Sequence, residues 1–230
     1  MARITPNSAH GPHFLGGDYF QFAWSALFNH GDLDRAGALA EEVQRAAVTI
    51  GDAESKHRWL GLVGFLAGMR EAYPACRQLF QQMCALNSGD FSYETSWEQM
   101  GLCLAACGLN DLPSARQHLR KVLEMSLIHR WPPNAAKGLT FAAIIAAKSG
   151  QSERATELFA LVFHHPLSPK GWLGQWPLIT RLRAELEATL TLERFQAVCQ
   201  RGATLDLFAT AAEQLAELAG ANSLEIGSAT

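Results

Sequence analysis

The chain has 230 residues, 48% of them hydrophobic, with a formal net charge of -3 and a pI near 6.2. That content is enough for a continuous core, in one elongated domain or two small ones. The mildly acidic balance argues against a general affinity for nucleic acid or an anionic membrane surface, and the longest uncharged stretch near the middle, "GLTFAAIIAA", falls far short of the roughly 18–20 residues of a membrane span.

The N-terminal "MARITPNSAHGPHFLGG" carries one arginine and no apolar run, so it does not read as a secretory signal. Residues 1–16 are expected to be flexible. From residue 17 onward apolar residues return at three- and four-residue steps, which predicts an all-α protein. Four segments align on a small residue inside a turn-helix pattern: "GDLDRAGALAEEV" on Ala36, "REAYPACRQLFQQ" on Ala75, "NDLPSARQHLRKV" on Ala115 and "GQSERATELFALV" on Ala155, a period of about 40. Four residues further, on the same helical face, stand Ala40, Leu79, Leu119 and Phe159. Each segment follows another helix with its own inward set. These sets are Phe20, Ala23, Trp24 and Leu27; Trp59, Leu62, Val63 and Leu66; Gln99, Leu102, Cys103 and Ala106; and Leu139, Ala142, Ala143 and Ala146. One helix pair cannot bury its apolar stripe alone, so residues 17–165 are expected to form four helix pairs stacked into an α-solenoid.

Before the fourth pair, "SLIHRWPPNAAKG" reads as a long loop in which Pro132 holds Trp131 extended. Arg130 and Trp131 are candidate interface anchors there, as is Trp172 in the later break "PKGWLGQWP". The alternative is that these tryptophans seal the end of a helical layer. His164 and His165 close the fourth pair at Pro166. Adjacent side chains on a helix diverge by about 100°, so the two histidines read as a helix end rather than a shared metal site. Residues 166–220 are expected to be capping helices: "LITRLRAELEATL", "LERFQAVCQRG" closed by Gly202, and "LDLFATAAEQLAELA", with Thr204 as N-cap and its end at Gly220. They should cover the apolar end of the solenoid. Residues 221–230 are expected to be a disordered tail.

The helix pairs resemble the tetratricopeptide repeat. "RWLGLVGFLAG" places Trp59 and Leu62 in register with that family's signature, and "GDLDRA" is close to its inter-helix turn. The period is longer than the usual 34, Trp24 and Val63 replace the small residue after the leucine, and the closing proline is missing. Longer helices would account for the extra residues. The tail from "LFALVFHHPLSP" onward resembles the C-terminal end of the helical-repeat region in large bacterial signalling ATPases of the STAND type and in LuxR- or SARP-type transcriptional regulators. That resemblance, over roughly residues 17–219, implies a cytoplasmic sensor or interaction module of a signalling or transcription-regulatory system.

In stacked pairs of this kind the first helices line a concave face. The positions left facing that groove are Asp18, Gln21, Ser25, Phe28 and Asn29; His57, Leu60 and Gly64; Trp97, Met100 and Leu104; and Lys137, Thr140 and Lys148. Phe28, Leu60, Trp97 and Met100 would suit an amphipathic helix or extended peptide. Equally, they could pack beneath the long loop or the cap. A protein or peptide is therefore the expected partner, with a small-molecule effector at the tryptophan-rich loops, or a stand-alone adaptor protein, as the alternatives.

No phosphate-binding G-x-x-x-x-G-K-[ST] loop occurs. The basic "RQHLRK" reads as a solvated outer face rather than a phosphate contact, and helical-hairpin RNA readers have a shorter period and a basic balance. The five cysteines, Cys76, Cys84, Cys103, Cys107 and Cys199, lie within apolar helical patterns and read as reduced, buried thiols. Neither they nor the carboxylate pairs Glu41/Glu42 and Glu185/Glu187 form a metal or acid-base constellation. No catalytic residue and no cofactor is expected.

Overall fold

A computed structural model describes the backbone of residues 12–86 and 93–227 and the side chains of residues 17–86 and 95–220. Every regular element among them is helical. α1 (Pro12–Ser25) runs on through a π-helical turn at Ala26–His30, and α2 (Leu33–Ile50), α3 (Ala53–Met69) and α4 (Tyr73–Cys84) follow. Next come α5 (Tyr93–Gly108), α6 (Leu112–Ile128), α7 (Pro132–Lys148) and α8 (Ser152–His164). The C-terminal part comprises α9 (Lys170–Gln175), α10 (Pro177–Thr189), α11 (Leu192–Ala203) and α12 (Leu207–Gly227). The expected flexible N-terminus lies outside the described residues up to residue 11, but Pro12 already opens a helix. The expected tail is helical as far as Gly227, beyond Gly220.

One turn recurs at the period read from the sequence. Gly31, Glu71, Asn110 and Gly150 adopt left-handed backbone angles, with φ of 68°, 60°, 58° and 77°. Each is followed by the N-cap of the next helix, at Asp32, Ala72, Asp111 and Gln151. The cap carbonyl accepts from the amide of Ala36, Cys76, Ala115 or Ala155 at 2.9–3.0 Å, and each of these four side chains is fully buried. The same cap residues donate back to the preceding helix, with Ala72, Asp111 and Gln151 reaching carbonyls five residues earlier in the Schellman pattern. Asp32 reaches six residues back, to Ala26, because the π-helical turn holds one extra residue.

This turn corrects the alignment of the second pair. Cys76 and Phe80 occupy the buried positions, while Ala75 is exposed and Leu79 only half-buried. The sequence offers no glycine there to mark the turn. Glu71 takes the left-handed position instead and is held by Arg181, whose guanidinium bonds both carboxylate oxygens.

Consecutive helices from α1 to α8 pack on one another, and the odd-numbered helices also touch each other in sequence: α1 with α3, α3 with α5, α5 with α7. α7 is buried on every face from Asn134 to Ile145 and on to Ala146, which requires cover from both sides. The even helices supply one side. α9 supplies part of the other, since after the Pro166–Pro169 break the chain returns to pack on Ala26–His30 at the end of α1. Trp172, inside α9, and Trp176, just past its C-terminus, are 1% and 0% exposed. Trp176 Nε1 donates to the Tyr73 hydroxyl at 3.2 Å.

The approach of α9 depends on two glycines. A Cβ on Gly171 would fall 2.4 Å from the Gly31 backbone nitrogen, and one on Gly31 would fall 2.7 Å from the Gly171 carbonyl oxygen. The C-terminal segment is thus an inner brace as well as an end cap, contrary to the expectation of a cap alone. The end-cap role falls to α11, which lies along α8. Arg194 bonds Glu153 there at 2.6 Å and Arg201 bonds Glu157 at 2.9 Å. Gly202 does not close α11 through a left-handed turn; it admits the Glu157 backbone, whose carbonyl oxygen would lie 2.3 Å from an added Cβ. Thr204 is the C-cap of α11, and Asp206 caps α12, its carboxylate accepting from the Ala209 amide at 2.8 Å.

Gly171→Ala is expected to lower the unfolding free energy by about 1–3 kcal/mol, because rigid backbone meets the new methyl group, and to red-shift the tryptophan emission. Gly174, with nothing within 4 Å of an added Cβ, is the control: Gly174→Ala should leave stability within about 1 kcal/mol of the parent. Equal urea midpoints for the two variants would show that α9 does not dock on α1.

Candidate functional site

The inner face is occupied by the protein's own side chains. Phe28, Leu60, Met100 and Leu104 are at most 1% exposed, Trp97 is 6% exposed, and Thr140 and Gly64 are buried. They cannot form the open apolar groove that the sequence suggested. The aromatic residues make one connected set: Trp24 stacks on Trp97 with centroids 4.5 Å apart, and Phe20 stacks on Trp97 at 5.4 Å. Trp24 also meets Phe28 at 4.2 Å, and Phe28 meets Phe65 at 5.2 Å. α9 joins this set through Trp172, which lies 6.0 Å from Phe28 and 5.6 Å from Phe141. Phe28 thus packs under the C-terminal segment, the alternative open at the sequence level, while Trp97 packs on Phe20 and Trp24 of α1.

His57, Trp97 and Lys137 recur at the same place on α3, α5 and α7, forty residues apart. All three are buried. His57 Nε2 lies 2.9 Å from Glu98 Oε1, both side chains being 5% exposed, and its Nδ1 has no hydrogen-bond partner among the described residues. That pattern fits the tautomer whose Nε2–H donates to Glu98, since an orphaned lone pair costs less than an orphaned N–H. Asn134 and Ser96 sit close by, 3.5 Å apart. Gln99 Oε1 lies 2.8 Å from His118 Nδ1, and burial pushes the His118 imidazole down to about 4, so it is neutral at physiological pH.

Lys137 is the unusual member. Its ammonium lies 4.1 Å from the Phe28 ring centroid and 4.9 Å from that of Trp24, at 4% exposure. Two cation–π contacts stabilise it by roughly 0.5–2 kcal/mol each. Removing an ammonium from water costs several kcal/mol. Desolvation therefore wins, and the pKa falls from 10.5 to about 7. A lone lysine within "NAAKGLTFAAIIAA" was the sequence signal for a buried charge.

The other expected site residues are scattered. Asp18, Gln21 and Asn29 are exposed, and Asn29 Nδ2 donates to the half-buried Ser25 at 3.3 Å. Lys148 Nζ donates to Asn110 Oδ1 at 3.2 Å. The expected long loop shrinks to residues 129–131, because α6 runs to Ile128 and α7 starts at Pro132. Trp131 is extended, as its position before proline requires, and half-buried. Arg130 lies 4.9 Å over the Phe208 ring of α12, an intramolecular contact. Trp172, buried, is no exposed anchor.

The histidine pair is a helix end. His164 Nδ1 donates to the Ala160 carbonyl at 2.8 Å, and His165 Nδ1 accepts from the Leu167 amide at 3.3 Å. Burial pushes the Cys76 and Cys84 thiols up to about 12 and raises that of Cys103, so none of the three supplies a thiolate nucleophile. Among the described residues no three His, Cys, Asp or Glu side chains cluster to hold a metal ion, and no helix is long and apolar enough to cross a membrane.

A roomy concavity lies outside the inner face. α6, α7 and α12 enclose a groove of about 840 Å³ with Ala142 and Ile145 in its floor and Arg116, Arg120, Lys121 and Glu217 around it. Part of the basic "RQHLRK" stretch thus borders a groove rather than a plain solvated face. Arg120 is paired with Glu124 and Arg116 with the Ser149 hydroxyl, whereas Lys121 has no carboxylate partner among the described residues. No protein-family model matches the chain, and no curated protein matches its sequence.

Lys137→Met is expected to raise stability at pH 7 by roughly 1–3 kcal/mol, by removing an uncompensated buried polar group. Because the folded-state pKa, about 7, lies below the unfolded 10.5, the unfolded chain binds the extra proton between those values. Parent stability should therefore rise relative to the variant as pH climbs from 7 to 10.5. Urea unfolding of both at pH 7 and 9.5 reads this directly, and a pH-independent difference would place Lys137 in water. Phe28→Ala should cost about 3–5 kcal/mol of stability, measured by the same unfolding curves. A change in partner capture without that loss would restore the open-groove reading.

Proposed function

We propose that this chain is a non-catalytic interaction module of the tetratricopeptide-like kind: four helix pairs in an α-solenoid with C-terminal helices, working in the cytoplasm as part of a bacterial signalling or transcription-regulatory system. The recurrent left-handed turn, N-cap and buried small residue at a period of about 40 support the repeat reading. The observation that carries the binding reading is the groove between α6, α7 and α12, with its apolar floor, its basic rim and room for a peptide segment. The inner face is filled, so partner recognition belongs on this outer groove. An acidic helix or extended segment fits it, with apolar side chains on Ala142 and Ile145 and carboxylates toward Lys121 and Arg116.

Charge reversal tests the assignment without touching the core. Arg120→Glu with Lys121→Glu is expected to leave the far-ultraviolet circular dichroism and the thermal midpoint near those of the parent. It should weaken capture of the partner at least tenfold, and capture by the parent should decline as salt rises. A photo-crosslinker at position 121 should mark the partner more strongly than one at Gln44 on the distant α2. Undiminished capture by the charge-reversed protein would remove this groove from the binding surface.

A further inference from the structure

The groove on α6 and α7 has a counterpart two repeats earlier, between α2 and α3. Ala40, Val63, Leu66 and Ala67 line it, and they correspond position for position to Leu119, Ala142, Ile145 and Ala146 of the α6/α7 groove. The same offset relates the left-handed turns at Gly31 and Asn110, and at Glu71 and Gly150. The two grooves are therefore one feature of the repeat, built twice by the same helix packing.

They differ in what covers them. On α6 and α7 the chain lays its own α12, whose Gln214, Glu217 and Leu218 close one side of the groove. Between α2 and α3 about 630 Å³ of concave space stays open, and among the described residues no helix from α6 onward packs closely on either one. Val63 stands where the other groove has Ala142, and the half-buried Trp59 adds an indole of the kind that anchors interfaces.

The rims also carry opposite charge. Exposed Glu41 takes the place of Arg120 and forms no ion pair among the described residues, while Gly37 takes the place of Arg116. Asp34, fully exposed, lies 3.9 Å from Arg70, whose guanidinium also donates to the Leu33 carbonyl at 3.4 Å. The acidic side of this rim is thus left open at Glu41.

We propose that the α2/α3 groove is a second docking site, for a partner's amphipathic helix that carries lysine or arginine toward Glu41 and Asp34. α12 shows what such a seat accepts: a helix with a narrow apolar stripe, here Leu207, Ala211 and Leu218. From Leu207 to Gly227 it has no lysine or arginine and carries Glu213 and Glu217. That charge suits the basic rim of α6, and it sets the α12 of a second copy against the acidic rim of α2. The two grooves prefer opposite charges, so this site does not depend on the partner assigned above to α6, α7 and α12.

The probe is a fluorescein-labelled peptide of residues 205–220 carrying Glu213→Lys and Glu217→Lys, compared with the unaltered acidic peptide, and the intact chain is the receptor. Fluorescence anisotropy at low salt should show saturable binding of the basic peptide, at least tenfold tighter than that of the acidic one. Glu41→Lys, at an exposed position, should weaken the basic peptide at least fivefold and leave the circular dichroism spectrum unchanged. A photo-crosslinker at Ala38 should mark the basic peptide, and one at Gln117, the counterpart on α6, should not. The unliganded chain should sediment as a monomer. Absence of saturation, unchanged affinity in Glu41→Lys, or crosslinking at Gln117 alone would each overturn the proposal. Self-association abolished by Glu41→Lys would overturn it too, by giving the groove to a second copy. Failure of the α6/α7/α12 assignment would appear instead in Arg120→Glu with Lys121→Glu, and it leaves these outcomes unaffected.

Discussion

The structure depends on two indoles. α1, α3, α5 and α7 touch in sequence and carry large apolar side chains, and that surface must be covered for the chain to remain folded. Trp172 of α9 and Trp176 just beyond it provide part of the cover, packing on Phe28 and Phe141. A buried tryptophan removes about 150–250 Å² from water, so at ~25 cal/mol per Å² each contributes on the order of 4–6 kcal/mol. Against a net stability of about 5–15 kcal/mol for a typical domain, α9 is part of the core. Opening the inner face to a partner would cost more than most interfaces return.

That closure explains which polar groups the interior tolerates. The His57–Glu98 contact pairs two buried polar side chains, as buried polar groups require. Lys137 has only aromatic faces to lie on, so its ammonium is destabilised and its proton is loosely held. Trp172 Nε1 and Ser168 Oγ likewise lack hydrogen-bond partners among the described residues. The interior under α9 is well packed in its rings and poorly matched in its polar atoms, so its weak points are electrostatic.

The periphery follows the opposite rule. α11 and α12 are tied to α8 by Arg194–Glu153, Arg201–Glu157 and Arg154–Glu213, all partly or largely exposed, and such pairs contribute little individually. Gly202 and the apolar sides of α11 and α12 carry the packing there. α12 packs on α6 and α7, and a concavity remains where those three helices meet. With the inner face filled, the roomier concavities among the described residues, the α6/α7/α12 groove and one along α2 and α3, lie on the outside.

The sequence by itself determined the helices, the period of about 40 and the turn that joins each pair, because helical periodicity and capping depend on residues within a few positions of one another. It also signalled the extended Trp131 and the histidine helix end. It misplaced the second repeat by one residue, since Glu71 holds a left-handed conformation that only its long-range partner Arg181 makes evident. It placed Phe28, Leu60, Trp97 and Met100 on the correct face, yet a face on a helix does not reveal what lies against it. Only the tertiary structure decided that the chain folds back through Gly171 and Gly31 to cover that face. That contact joins residues 140 positions apart, and its physical basis is the absence of two side chains, which leaves no periodic trace.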